Sequence, residues 1–226
     1  MTIADSRVLV RPTTLIFDLD GTLVESADGI LWSFEATLHD FGRAVDRDLL
    51  REFIGPPLDY SFGQLGFGAD ELPAVLRRYR VHYQNEGVHR CRLYGGVTSL
   101  LETLTAHHIA LVVATAKRVD FANTILGDLS IANFFTVVAG ASLDGRLTSK
   151  DVIVGQAMAR ATAAADGSWM VGDRRFDLEA AHRHGLVGVG ATWGYGSVDE
   201  LNAAGATILV ESPRALGELV VDLASV

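Results

Sequence analysis

Short apolar runs that stop at a polar residue, most of them followed by a helical pattern, recur along this chain, and no other feature restricts its fold as much. The runs are 13–17 (Thr-Thr-Leu-Ile-Phe), Ile109–Ala114, Thr136–Gly140, Ser168–Gly172, Leu186–Gly190 and Thr207–Val210. They are too short for helices and too continuously apolar for strands with one wet face. Strands buried on both faces belong to parallel sheets, and parallel neighbours need a crossover, usually a helix. Such helices are legible between the runs. Val97, Leu100, Leu101 and Leu104 keep the i, i+3, i+4, i+7 spacing, and 157–165 is rich in alanine. The expected fold class is α/β, a Rossmann-like parallel sheet that gathers ligands at the carboxyl ends of its strands.

One interval breaks the rhythm. A crossover needs only about a dozen residues, yet the chain from Asp18 to Thr115 is far longer. The surplus reads as helical. Ile30, Phe34, Leu38 and Phe41 make one apolar stripe; Leu72, Val75, Leu76, Tyr79 and Tyr83 make another. Gly42, Gly55-Pro56-Pro57 and the Gly66/Gly68 pair punctuate them. Residues 24–93 are therefore expected to form a small all-α domain inserted in a core built from 1–23 and 94–226, with Gly95 and Gly96 at the second hinge.

Composition narrows the partners. A net charge of −9 argues against a general nucleic-acid binder, which needs a basic face for backbone phosphates. It is compatible with a phosphorylated metabolite, because a few cations and a metal ion can reverse the sign of one pocket. The single cysteine, Cys91, excludes an internal disulfide and reads as a small buried hydrophobe rather than a nucleophile. The amino-terminal residues lack a signal-peptide pattern, and no apolar stretch reaches the roughly 20 residues of a membrane span. A soluble cytoplasmic protein with no membrane partner is the default expectation; oligomeric state stays open.

Four segments where predicted strands end carry the chemistry. Asp18-Leu-Asp20-Gly21-Thr22 puts two carboxylates on one side of an extended chain, either as reactive acids or as an Asx-type turn. Thr115, followed by Ala116-Lys117, offers a hydroxyl and backbone N–H groups to an anion, or simply caps a helix. Lys150 opens a helical stretch that Ser149 is placed to cap. A cation there opposes the helix dipole, so it either serves an anion or is a solvated surface lysine. Asp173 and Asp177, four apart after a strand, suit a metal ligand and its orienting partner, or plain surface charge.

Together these segments resemble the haloacid dehalogenase-like hydrolases. Asp-Leu-Asp-Gly-Thr-Leu from Asp18, Thr-x-Lys from Thr115, Lys150, and Gly-Asp-Arg-x-x-Asp from Gly172 match that superfamily's four motifs in order and span nearly the whole chain. The helical insert is similar to the cap of the phosphoglycolate phosphatase-like branch. Phe53–Leu58, Asp144-Gly-Arg146 with Lys150, and Trp193-Gly-Tyr195-Gly-Ser197 with the residues after it are similar to bacterial 5′-nucleotidase-like members. Ala116 stands where Asn or Ser is common, and Asp151 follows Lys150 where Pro is frequent.

The resemblance implies a phosphatase acting on a small phosphorylated metabolite through an aspartyl phosphate. Asp18 would be the nucleophile and Asp20 the acid–base residue. Mg²⁺ would be bound by Asp18, the Asp20 carbonyl and Asp173, with Asp177 orienting the metal shell. Thr115, the Ala116 amide and Lys150 would hold phosphoryl oxygens. Ile54, Gly55, Pro56 and Leu58 would form the substrate loop of the cap, or else an interhelical turn. Trp193 and Tyr195 either pack a glycine turn or stack on a base. A dehalogenase has no use for Asp20, and a phosphonatase needs a cap lysine that 24–93 lacks. A phosphomutase and a non-catalytic phosphometabolite binder are the alternatives.

Overall fold

The computed structural model describes residues 2–3, 9–143 and 149–223. Its strands are β1 (Thr2–Ile3), β2 (Thr14–Phe17), β3 (Val24–Glu25), β4 (Arg92–Leu93), β5 (Ala110–Arg118), β6 (Val137–Ala141), β7 (Ser168–Gly172), β8 (Val187–Ala191) and β9 (Ile208–Val210). The helices are α1 (Ala27–Asp40), α2 (Arg47–Leu50), α3 (Leu58–Gln64), α4 (Leu72–Asn85), α5 (Val97–Ala106), α6 (Val119–Asp128), α7 (Lys150–Ala161), α8 (Arg175–Arg183), α9 (Val198–Ala203) and α10 (Pro213–Asp222). Asp144, Gly145 and Arg146 lie outside the described residues. Among the described residues, no helix is long and apolar enough to cross a membrane.

The chain divides into two compact units, Met1–Glu25 with Leu93–Val226, and Ser26–Arg92. The first is built on a sheet in the order β1-β9-β8-β7-β2-β5-β6. Every pairing is parallel except that of the edge strand β1, which runs against β9. Leu15, Ile16 and Phe17 of the central β2 are completely buried. At about 1.5–3 kcal/mol for each such side chain, this strand is a main anchor of the core.

Two consequences of the topology place the functional end. Phe17 of β2 is level with Val113 of β5 and Val171 of β7. The next residues of these three strands therefore emerge side by side at one edge. The winding also reverses there: from β2 the chain builds β5 and β6 on one side, then crosses to β7, β8 and β9 on the other. A parallel sheet opens its ligand crevice where its strand order reverses, outside the carboxyl ends.

Several boundaries differ from the sequence-based expectation. β5 does not stop at Ala114 but runs to Arg118, with a register shift against β6 between Thr115 and Arg118. A bulge keeps hydrogen bonding alive past the apolar run, so hydrophobicity alone ended the strand too early. Ser149 stands at the N-cap of α7 but its side chain makes no capping bond. Phe41 follows the end of α1 and is 36% exposed. Cys91 is half-buried, its Sγ donating to the Val88 carbonyl.

The second unit is helical and holds its own core. Phe34 of α1 is fully buried, with ring centroids 5.0 Å from both Phe62 and Tyr79. Val75, Tyr79 and Tyr83 form the buried stripe of α4. Ile54 is buried in this unit, whereas Gly55 is exposed and Pro56 and Leu58 are half-exposed. Because Phe34 has three ring partners, Phe53, Phe62 and Tyr79, and no exposure, Phe34→Ala is expected to destabilise the protein by about 3–5 kcal/mol. Denaturant unfolding of the variant checks this, and a loss below about 1 kcal/mol would contradict the packing described.

Candidate active site

Asp18 is the first residue after β2, and its N–H donates to the Val171 carbonyl at 2.9 Å. Beyond it the chain turns tightly: Gly21 has φ +82° and donates its N–H to the Val24 carbonyl at 2.8 Å. The glycine is required twice over, since a Cβ there would also fall 2.2 Å from Asp173 Oδ2. Asp173 itself is the first residue after β7 and is fully buried. Thr22 sends its hydroxyl to Asp173 Oδ1 at 3.1 Å, and the Tyr195 N–H donates to Oδ2 at 2.8 Å.

Lys150 begins α7, but its side chain is buried. It lies 2.7 Å from Asp18 Oδ1 and 2.8 Å from Asp177 Oδ1, and donates to the Ala114 carbonyl at 2.9 Å. The unfavourable end of the helix dipole is outweighed by two carboxylates and a carbonyl. Asp177 is fixed from the other side, because its Oδ2 accepts the Arg174 N–H at 3.1 Å and so caps α8. Asp18, Asp173 and Asp177 each offer an oxygen within 4.8 Å of the others.

Asp20 is turned elsewhere. Its Oδ2 pairs with Lys117 Nζ at 3.0 Å, while Oδ1 is buried without a hydrogen-bond partner. Thr115 is buried, its Oγ1 accepting the Lys117 N–H at 3.1 Å, and Ala116 is exposed beside it. Asp18, Asp20, Thr115, Ala116, Lys150, Asp173 and Asp177 thus belong to one edge of the sheet. Ile54, Gly55, Pro56 and Leu58 belong to the helical unit. The sequence reading missed three contributors: Thr22, the Tyr195 amide and the Lys117–Asp20 pair. Thr22 and Lys117 sat inside quoted motifs, so a signal existed; a backbone N–H carries none.

The electrostatics are those of a site short of positive charge. Burial, then the Asp177 and Asp18 charges, pushes Asp173 up to about 8, against the Tyr195 amide and the Thr22 hydroxyl. Burial also raises Asp18 to about 6; Lys150 opposes this and Asp177 adds to it. Burial disfavours the Lys150 ammonium, but Asp177 and Asp18 outweigh it and move that group upward. Three converging, partly desolvated carboxylates with all-oxygen donors fit a hard divalent cation such as Mg²⁺. Such an ion would supply the missing charge.

This arrangement has a pH signature. Both raised acids bind protons more tightly in the folded chain than in the unfolded one, whose carboxyls titrate near 3.8. Stability without metal is therefore highest below about pH 4 as far as these two groups are concerned, and it declines as pH rises through about 6 and about 8. In EDTA the melting temperature is expected to fall between pH 6 and 8.5. Mg²⁺ should restore more of it at the higher pH. A melting temperature insensitive to both would remove the case for a strained acidic cluster.

Comparison with known proteins agrees with this architecture. A model of the haloacid dehalogenase-like hydrolases matches residues 15–191. The chain is 36% identical over 202 residues to the tyrosine-protein kinase PtkA of Mycobacterium tuberculosis, covering 89% of this chain and 69% of that protein. It is 36% identical over 197 residues to a 5′-nucleotidase of Pseudomonas aeruginosa, covering 86% and 89% respectively. A crystal structure described as a predicted phosphatase from Clostridium acetobutylicum superposes with a TM-score of 0.87 at 35% identity, covering 93% of this chain and 99% of that one. The chain belongs to the haloacid dehalogenase-like hydrolases.

Proposed function

We propose that this protein is a Mg²⁺-dependent phosphatase that hydrolyses small phosphomonoesters, nucleoside monophosphates or phosphoglycolate-like compounds, through a phosphorylated Asp18. One observation carries the reading: a nucleophile-competent carboxylate at the end of the central strand, 2.7 Å from a buried lysine and grouped with two further carboxylates. The 5′-nucleotidase relative supports the substrate class. The helical unit is read as a cap that sets substrate choice, with Ile54, Gly55, Pro56 and Leu58 as its candidate loop.

In this mechanism Asp18 attacks phosphorus and forms the acyl phosphate. Lys150 holds the attacking carboxylate in place and neutralises phosphoryl charge, with Asp177 fixing the lysine. The Thr115 hydroxyl and the Ala116 amide bind phosphoryl oxygens. Asp20 gives a proton to the leaving oxygen from Oδ1, the oxygen that Lys117 does not engage. The same atom then takes a proton from the water that hydrolyses the acyl phosphate. Mg²⁺, held by Asp18, the Asp20 carbonyl and Asp173, would offset the charge that develops on the transferring group.

The test is phosphate release from nucleoside monophosphates, phosphoglycolate and sugar phosphates, with Mg²⁺ or with EDTA. Release that requires the metal is the expected result, and the best substrate names the class. Absence of release from every compound would overturn the reading. The kinase relative favours a second outcome, transfer of the phosphoryl group from Asp18 to an alcohol, as does the phosphomutase alternative. Adding tyrosine-bearing peptide and sugar acceptors to the same assay distinguishes transfer from hydrolysis.

A further inference from the structure

The loop 192–197, between β8 and α9, contains none of the motif carboxylates, yet it meets Asp173 at several points. The Tyr195 N–H donates to Asp173 Oδ2 at 2.8 Å. Gly194 lies so close that a Cβ there would fall 2.3 Å from Asp173 Cβ and 2.4 Å from the Gly21 carbonyl oxygen. The Trp193 indole N–H donates to the Thr22 carbonyl at 2.9 Å, and the Thr22 hydroxyl donates to Asp173 Oδ1 at 3.1 Å. Each oxygen of Asp173 therefore receives one hydrogen bond, and the two donors sit on separate loops that the indole stitches together.

The loop is itself anchored at both ends. The Thr192 N–H and hydroxyl both donate to the Val210 carbonyl, at 3.0 and 3.1 Å, which ties it to β9. At the other end Ser197 caps α9, accepting the Glu200 N–H at 3.1 Å. Glu200 Oε1 then accepts from the Arg174 guanidinium and the Arg175 N–H, each at 3.0 Å, at the start of α8. Asp173 is thus framed by a closed circuit of β9, the loop, α9 and the start of α8. With one hydrogen bond on each oxygen, about one lone-pair site per oxygen remains for a cation.

We propose that the loop 192–197, through the Trp193 indole, Gly194 and the Tyr195 amide, is a positioning element that orients Asp173 and thereby sets the affinity of the site for its divalent cation. These residues act through Asp173 and are not catalytic themselves. The proposal rests on the reading of Asp173 as a metal ligand. Groups that orient a ligand from behind typically contribute about 10–100-fold to metal affinity. Trp193→Phe keeps an aromatic ring and deletes the donor to Thr22 together with part of the indole's volume, so its melting temperature is read beside its metal affinity.

Calorimetric titration of Mg²⁺ into wild type and Trp193→Phe at pH 8, well below either melting temperature, tests the idea. The wild type is expected to bind, and the variant to bind about 10–100-fold more weakly. Its substrate KM, measured at saturating Mg²⁺, should stay near the wild-type value. A purely structural role would lower the melting temperature and leave the Mg²⁺ affinity unchanged, and that result overturns the proposal. Absence of binding to wild type overturns the metal reading beneath it, which is a separate and visible failure. If Trp193→Phe does not fold, hydrogen exchange on wild type decides. The Tyr195 amide gains protection on Mg²⁺ addition if the loop and the ion are coupled; an unchanged rate overturns the coupling.

Discussion

Asp18→Asn is expected to abolish phosphate release while leaving the metal-free protein at least as stable as the wild type. Removing a nucleophile from a catalytic set that acts as a unit typically costs about four to six orders of magnitude. An amide cannot form the acyl phosphate, so nothing in the site replaces it. Stability should move the other way. Asp18 is a buried acid raised to about 6, chiefly by burial, and it adds repulsion to Asp173. An amide of nearly the same shape removes both penalties, and Lys150 keeps Asp177 and the Ala114 carbonyl as partners. The decline of melting temperature with pH in EDTA should also become shallower, since one of the two raised acids is gone. Single-turnover assays and melting curves at pH 6 and 8.5 measure both halves. Residual turnover within tenfold of wild type would remove Asp18 from its assigned role.

Lys150→Met carries the second large effect, and here activity and stability fall together. The methionine fills much of the same volume but leaves Asp18 and Asp177 facing each other with no cation between them. Breaking a buried ion pair from one side costs about 3–5 kcal/mol, because the remaining charge stays buried. The Ala114 carbonyl loses its donor as well. The cost should be greatest at pH 8.5 and smaller at pH 6, where Asp173 and part of Asp18 take up protons. Mg²⁺ should recover stability, since it also brings positive charge to these acids, but not turnover, because it cannot replace the lysine at the phosphoryl group. Denaturant unfolding with and without Mg²⁺ reads the first statement and phosphate release reads the second. A variant as stable as wild type in EDTA at pH 8.5 would contradict the buried ion-pair network.

Much of this protein follows from short-range pattern. Continuous apolar runs such as 13–17 and Ser168–Gly172 specify strands that must be covered on both faces, and their alternation with helical spacing leaves a parallel α/β sheet as the consistent answer. Asp18 and Asp20, and Asp173 and Asp177, are legible as candidates because each pair closely follows an apolar run, β2 or β7, although the turn after β2 sends Asp20 to Lys117 rather than alongside Asp18. Where the apolar pattern ended before the hydrogen bonding did, as at the bulge that carries β5 to Arg118, the reading stopped short.

The tertiary structure alone decided which distant residues meet. Nothing local states that β7 lies beside β2, although that adjacency brings Asp173 to Asp18. Lys150 could have been an ordinary surface residue until the start of α7 was seen to lie over Asp18 and Asp177. The hold of the Tyr195 amide on Asp173 was equally invisible, because a backbone N–H looks the same at every position of a sequence. Sequence pattern acts over one turn or one pleat. The order of strands, and with it the charge balance of the site, is set by how whole elements pack.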